Sequence, residues 1–225
     1  MAEELPINFA IPGESAVPSY NYADIVDGTG LAEFYFAQSE DSTGTTNLLL
    51  NKVLRSSVIE MSGSDSSTAT NTKCINQNFN LIPFNSPRDI KGNMIISCCF
   101  GVKCGTGTTG VSTDGYLVFT LNKIHAGAST TLGSIQTATI HTHGSTPQVF
   151  SWKRVLMSKV LTQTHLEIGD YLQVNVEGWI YNSNGVYAGT IIFGTEPTNK
   201  DGVEILAANN NFTNSQINIS FKIDL

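Results

Sequence analysis

Leu172-Gln173-Val174-Asn175-Val176-Glu177 and Ile217-Asn218-Ile219-Ser220-Phe221-Lys222-Ile223-Asp224-Leu225 exchange an apolar for a polar residue at every step. Side chains alternate across a strand, so each stretch turns one face to a core and the other to water. Further strand signals, separated by turn residues, lie at Leu31–Gln38, Asn47–Met61, Asn78–Pro83, Asn93–Lys103, Gly115–Ile124, Ser134–His141, Gln148–Leu161 and Gly185–Phe193. With Tyr171–Tyr181 and Ser215–Leu225 they predict an all-β, antiparallel β-sandwich. Leu49, Leu50, Val53, Leu54, Ser57, Val58 and Met61, and more weakly Val155, Leu156, Val160 and Leu161, also fit a helical spacing. Both segments are read as strands, because no strong helix stop accompanies them and their surroundings are β.

Composition agrees. The 225 residues include 24 Thr, 21 Ser, 20 Asn and 20 Gly, while only 14 % are charged. These four types favour strands, turns and caps, and the residues that populate exposed helix faces are scarce. A 40 % apolar content suffices for a packed core. The net charge of −7 and the lack of any Lys/Arg cluster beyond Lys153-Arg154 argue against a nucleic-acid partner. No apolar run is long enough to span a bilayer, and the acidic start Met1-Ala2-Glu3-Glu4 lacks a signal-peptide core, so a soluble, unexported protein without membrane insertion is expected.

Residues 1–22 carry Pro6, Pro12 and Pro18 with Ile7, Phe9, Ile11 and Val17 between them. Each proline removes a backbone donor and fixes an extended or turning path. The expected organisation is an extended N-terminal arm, 1–22, followed by a single β-sandwich domain, 23–225. Ser62–Thr72 and Gly105–Thr113 read as exposed loops.

Few motifs carry chemistry. Gly105-Thr106-Gly107-Thr108-Thr109-Gly110 satisfies G-x-G-x-x-G, but a strand follows where a phosphate-binding helix is needed, which leaves a glycine-rich hairpin loop. His141-Thr142-His143 places two imidazoles on one side of a strand, a spacing that can hold one metal ion. The cupin site also uses His-x-His, but no carboxylate follows here. In a homotrimer the motif would bring six imidazoles round one axis, and two exposed polar residues before a Pro turn is the plainer reading. Glu167 and Asp170, and Asp24 and Asp27, flank turns that are read as solvated rather than calcium-binding. Trp152, Trp179, Tyr181 and Tyr187 are candidates for a glycan platform, set against core or interface packing. Cys74, Cys98, Cys99 and Cys104 match no zinc pattern and read as reduced, small apolar residues, with a disulfide at Cys74 the alternative. No nucleophile elbow, metalloprotease helix or P-loop occurs, and neither an enzyme nor a cofactor is expected.

The segment Asn78-Phe79-Asn80-Leu81-Ile82-Pro83-Phe84-Asn85-Ser86-Pro87-Arg88-Asp89-Ile90-Lys91-Gly92, the later Ile168-Gly169-Asp170-Tyr171-Leu172-Gln173-Val174 and the amphipathic last strand resemble pieces of jelly-roll virion proteins of tailed phages and similar viruses. The resemblance implies a sandwich of jelly-roll type and a capsid decoration or other external virion component that works without catalysis. It also implies a homo-oligomer, with a trimer favoured, other virion proteins as partners, and assembly in the host cytoplasm. A host-attachment module binding surface glycans is the alternative.

Overall fold

A computed structural model of the chain describes residues 29–40, 46–51, 60–66, 70–108, 110–144, 148–184, 186–195, 205–206, 211–212 and 215–222. Among the described residues there are strands and no helix. The strands are β1 (Thr29–Glu40), β2 (Thr46–Asn51), β3 (Glu60–Asp65), β4 (Thr72–Asn80), β5 (Arg88–Lys103), β6 (Ser112–His125), β7 (Ala128–Gln136) and β8 (Ile140–His143). They continue as β9 (Ser151–Val160), β10 (Thr164–Leu166), β11 (Tyr171–Asn182), β12 (Gly189–Gly194), β13 (Ile205–Leu206), β14 (Asn211–Phe212) and β15 (Gln216–Lys222).

Neighbouring strands run in the order β3-β12-β5-β15-β1-β2-β4-β11-β6-β7. Strands β9 and β10 also pair with β5, β8 also pairs with β6, and β13 pairs only with β14. Among the described residues pairing is antiparallel except for one parallel pair, Leu49 with Asn80, which joins β2 to β4. That thin join divides the sheet into two halves, one built round β5 and one round β11 and β6. Phe36 of β1 and Phe193 of β12 come from the first half, Phe79 of β4 and Phe119 of β6 from the second. Their rings meet with centroids 5.0 to 6.2 Å apart, so the halves face each other across a shared core. The all-β sandwich read from the sequence is the observed architecture.

Alternation fixes the register of the second half. Along β11 each even-numbered residue from Leu172 to Asn182 is buried and each odd one half-buried, and a slip of one residue would turn the apolar set to solvent. β5 is different: Cys98, Cys99, Phe100, Gly101 and Val102 are all buried, as expected of a strand covered on both faces. The outer cover is the Trp152 ring of β9. A Cβ at Gly101 would sit 2.7 Å from that ring, so only glycine allows the approach.

Some expected boundaries shift. The segment Asn47–Met61 contains β2 and the start of β3, and residues 52–59 lie outside the described ones, as does the arm 1–22. β9 is a strand, as read. Ser62–Asp65, expected in a loop, belongs to β3 and pairs with β12. Its small residues serve packing there, since a Cβ at Gly63 would lie 2.4 Å from the Cys74 carbonyl oxygen. Ser134–His141 is two strands, because Thr137 interrupts the ladder: its N–H donates to the Leu117 carbonyl at 2.9 Å, and its Oγ1 accepts the Leu117 N–H at 3.0 Å. The glycine-rich segment after β5 is not a hairpin. β5 and β6 are not paired, so the segment carries the chain from one half to the other.

Phe36 is fully buried and touches the other three rings. Phe36→Ala is expected to cost about 3–5 kcal/mol in a denaturant titration, whereas Ile82→Ala, at an exposed position after β4, should change stability by less than about 0.5 kcal/mol.

Candidate functional site

The outer face of the second half gathers most of the sequence-predicted site residues. Residues directly opposite each other on paired strands share a face. Trp179 of β11 stands between Lys73 of β4 and Tyr116 of β6, and Tyr181 stands beside Asp114, itself opposite His141. His143, two residues on, points the same way as His141. Trp152 lies in the other half, on β9, and Tyr187 in the segment after β11, so the structure does not bring these two to the face.

Trp179 is held on several sides. Its ring lies nearly parallel to that of Tyr116, at 7° with centroids 6.4 Å apart, and the Lys73 Nζ sits 5.2 Å from its centroid. Its Nε1 donates to Glu177 Oε2 at 3.0 Å, and the other oxygen of Glu177 pairs with Lys73. Amides and hydroxyls fill the next rows. Asn175 Nδ2 donates to Asn76 Oδ1 at 2.9 Å and to Asn78 Oδ1 at 2.8 Å, and Gln173 Nε2 donates to Asn80 Oδ1 at 2.8 Å. Thr120 and Ser134 hydroxyls lie 2.9 Å apart, and Thr131 donates to Asn122 at 2.9 Å. The result is a polar face whose side chains are tied sideways to their neighbours and keep outward hydrogen-bonding capacity.

His141 and His143 are exposed, with ring centroids 4.5 Å apart and planes at 86°. The Asp114 carboxylate bonds His141 Nδ1, which orients the ring and leaves Nε2 outside that bond, as in many metal-ligating histidines. Among the described residues no group of three or more His, Cys, Asp or Glu side chains is placed to hold a metal ion. Among the described residues one chain therefore offers two imidazoles and no converging third ligand. The four cysteines are free thiols. Burial pushes the Cys74 thiol up to about 11, helped by the Asp65 charge. It pushes Cys99 up to about 11 against the pull of Arg154, and raises Cys98 further.

Asp170 is 1 % exposed, not the solvated turn residue expected from sequence. Burial raises its pKa, but three donors outweigh it: Lys123 Nζ at 2.8 Å, the Glu167 backbone N–H at 2.7 Å and His125 Nδ1 at 2.6 Å. The carboxyl is held at about 2 instead of the usual 3.8. Lys123 also donates to the His165 carbonyl at 2.8 Å, and His165 Nδ1 meets Asp89 at 2.6 Å. One carboxylate thus ties the end of β6 to the turn before β11, where no reacting group converges on it. Sequence reading missed Asp114, Tyr116, Lys73 and Glu177, because their relation to the flagged histidines and aromatics is set by cross-strand register over long separations.

Neither a family model nor a curated protein matches the chain. Among solved structures it is similar to a CocE/NonD family hydrolase from Staphylococcus aureus, at 13 % identity over 92 % of this chain and 38 % of that one, with a TM-score of 0.46. An aminopeptidase from a marine sediment Thaumarchaeota archaeon matches at 9 % identity over 87 % and 37 %, with a TM-score of 0.45. The infectious bursal disease virus VP2 subviral particle matches at 12 % over 88 % and 38 %, with a TM-score of 0.27. The chain spans less than two fifths of each of these proteins. The likeness to a viral capsid protein is weak, and the expectation that the chain is not an enzyme is corrected: two of the three neighbours are enzymes by name, so the fold gives no ground for that exclusion.

Because folding lowers the pKa of Asp170, its contribution to stability is full above about pH 4 and is lost as the pH falls toward 2. The shift amounts to about 2 kcal/mol. Urea titrations at pH 6 and pH 2.5 are expected to show this loss in the unaltered chain and a smaller one in Asp170→Asn, which should already be destabilised at pH 6. An unchanged pH dependence in the variant would remove Asp170 as its source.

Proposed function

We propose that the chain is a virion structural protein that assembles with copies of itself, as a homotrimeric capsid decoration or other external component beside further virion proteins. It would be assembled in the host cytoplasm. The observation that carries this reading is the outer side of β9, where Leu156 is 76 % and Val160 72 % exposed. Ile95 of the neighbouring β5 is half-buried on that same side. Apolar side chains grouped on a strand face suit contact with another protein surface. The polar, laterally bonded face of the opposite half suits exposure. Light scattering at micromolar concentration is expected to give the mass of three chains, and a stable monomer would count decisively against assembly.

A second reading, binding of host surface glycans, is favoured by the placement of Trp179 and Tyr181 on the same sheet face as the amides of Asn76, Asn78, Asn175 and Gln173. Stacking on an aromatic ring together with amide hydrogen bonds is a chemistry that suits sugars. On a panel of host-envelope glycans, Trp179→Ala is expected to weaken retention by about tenfold or more, while Trp152→Ala leaves it unaltered. Retention of no glycan, or equal loss in both variants, would exclude this face.

A further inference from the structure

Two of the chain's four histidines, His141 and His143, stand side by side on β8. The strand buries Ile140 and Thr142 and turns both imidazoles to solvent. It is held firmly where it carries them. Ile140–His143 pairs with Ser112–Gly115 of β6, the Thr142 hydroxyl accepts from Ser151 at 3.3 Å, and the Gly144 N–H donates to the Val111 carbonyl at 2.9 Å. A Cβ at Gly144 would lie 2.3 Å from the Thr108 carbonyl oxygen, so the backbone directly after His143 is closely seated. The two side chains therefore project from a fixed frame.

Their separation suits one shared ion. An ion about 2.1 Å from a ring nitrogen lies about 3.2 Å from the ring centre, so two imidazoles that meet it at about 90 to 110° have centres about 4.5 to 5.2 Å apart. The observed separation is 4.5 Å. Because His141 Nδ1 is engaged by Asp114, the neutral ring keeps its proton there and carries the lone pair on Nε2. Both rings are exposed, so each can turn about its side-chain bonds to aim a nitrogen at a common point. The Asp114 charge behind one ring offsets part of the charge of a bound cation.

We propose that His141 and His143 of a single chain together bind one late first-row divalent cation, with water in its remaining positions. Imidazole nitrogen suits Cu²⁺, Ni²⁺ and Zn²⁺, whereas Mg²⁺ and Ca²⁺ take oxygen ligands. Once one ring binds, the second is held at high effective concentration, so the pair binds more tightly than either ring alone. With no third converging group among the described residues, the ion stays open to solvent and exchanges, unlike a closed structural zinc. The site needs no second copy and is independent of the assembly and glycan readings.

Calorimetric titration of the full chain with Ni²⁺ tests it. One ion per chain is expected, and His141→Gln and His143→Gln should each weaken binding by about tenfold or more. His125→Gln and His165→Gln provide the comparison, because each removes an exposed histidine whose Nδ1 also meets a carboxylate, and both should leave the affinity unaltered. A second measurement uses the unaltered chain: Zn²⁺ should shift the ring-proton resonances of His141 and His143 and leave those of His125 and His165 in place. Absence of both heat and shift would overturn the proposal. Equal losses in all four variants would do so too, since they describe scattered binding to single histidines. One ion shared by two or three chains would also overturn it, because the ion would then lie between copies.

Discussion

Four phenylalanines from four strands hold this protein together as one sandwich. Among the described residues the strand pairing between its halves is thin, a single parallel pair between β2 and β4, so that pairing alone leaves the halves free to splay. Phe36, Phe79, Phe119 and Phe193 meet edge to face or tilted across the gap, the geometry that aromatic quadrupoles favour. The alternating strands on either side place their apolar residues round this centre. The far margin is closed by smaller contacts, with the Thr162 N–H on the Leu132 carbonyl at 3.1 Å and Leu161 packed against Gly133. A core anchored from both halves frees each outer face to diverge in character. One is a laterally bonded polar plane, and the other exposes the apolar side chains of Leu156 and Val160.

The strands were legible where a single face is buried. β11 and β15 alternate in sequence because one side of each meets the core, and both appear close to the expected limits. β5 was legible as an apolar run, although its length and its two sets of neighbours were not, since pairing partners leave no mark on local periodicity. β10 is three residues long and too short to show a period. Ser62–Asp65 looked like a loop because small polar residues serve close strand approach as well as flexibility, and only the position of Cys74 decides between them. Thr137 hid its role in the same way: a threonine in a strand-like stretch gives no sign that its hydroxyl will replace a backbone group.

The site was legible as residue types and not as a place. His141, His143, Trp179 and Tyr181 share one sheet face, whereas Trp152 and Tyr187 lie elsewhere, and nothing in their spacing separates the two groups. What does so is the register of β11 against β6 and of β6 against β8. The aspartates behave alike. Asp114 and Asp170 each bond a histidine from a distance in sequence, and Asp170 looked like any turn carboxylate until Lys123 and His125 were placed beside it. A low overall charge makes such pairs more informative: among the described residues Asp170 is the buried carboxylate, and it has specific partners.

Strand β5 has neighbours along both edges for most of its length, with β12 and β15 on one side and β9 and β10 on the other. Its central amides therefore exchange with solvent only when several strands separate at once, an opening close in free energy to global unfolding. The edge strands need lose only one partner. Mobility should therefore be graded from the middle of this half outward, so that the surface offered for recognition is also the part that adjusts fastest while the frame beneath it stays fixed.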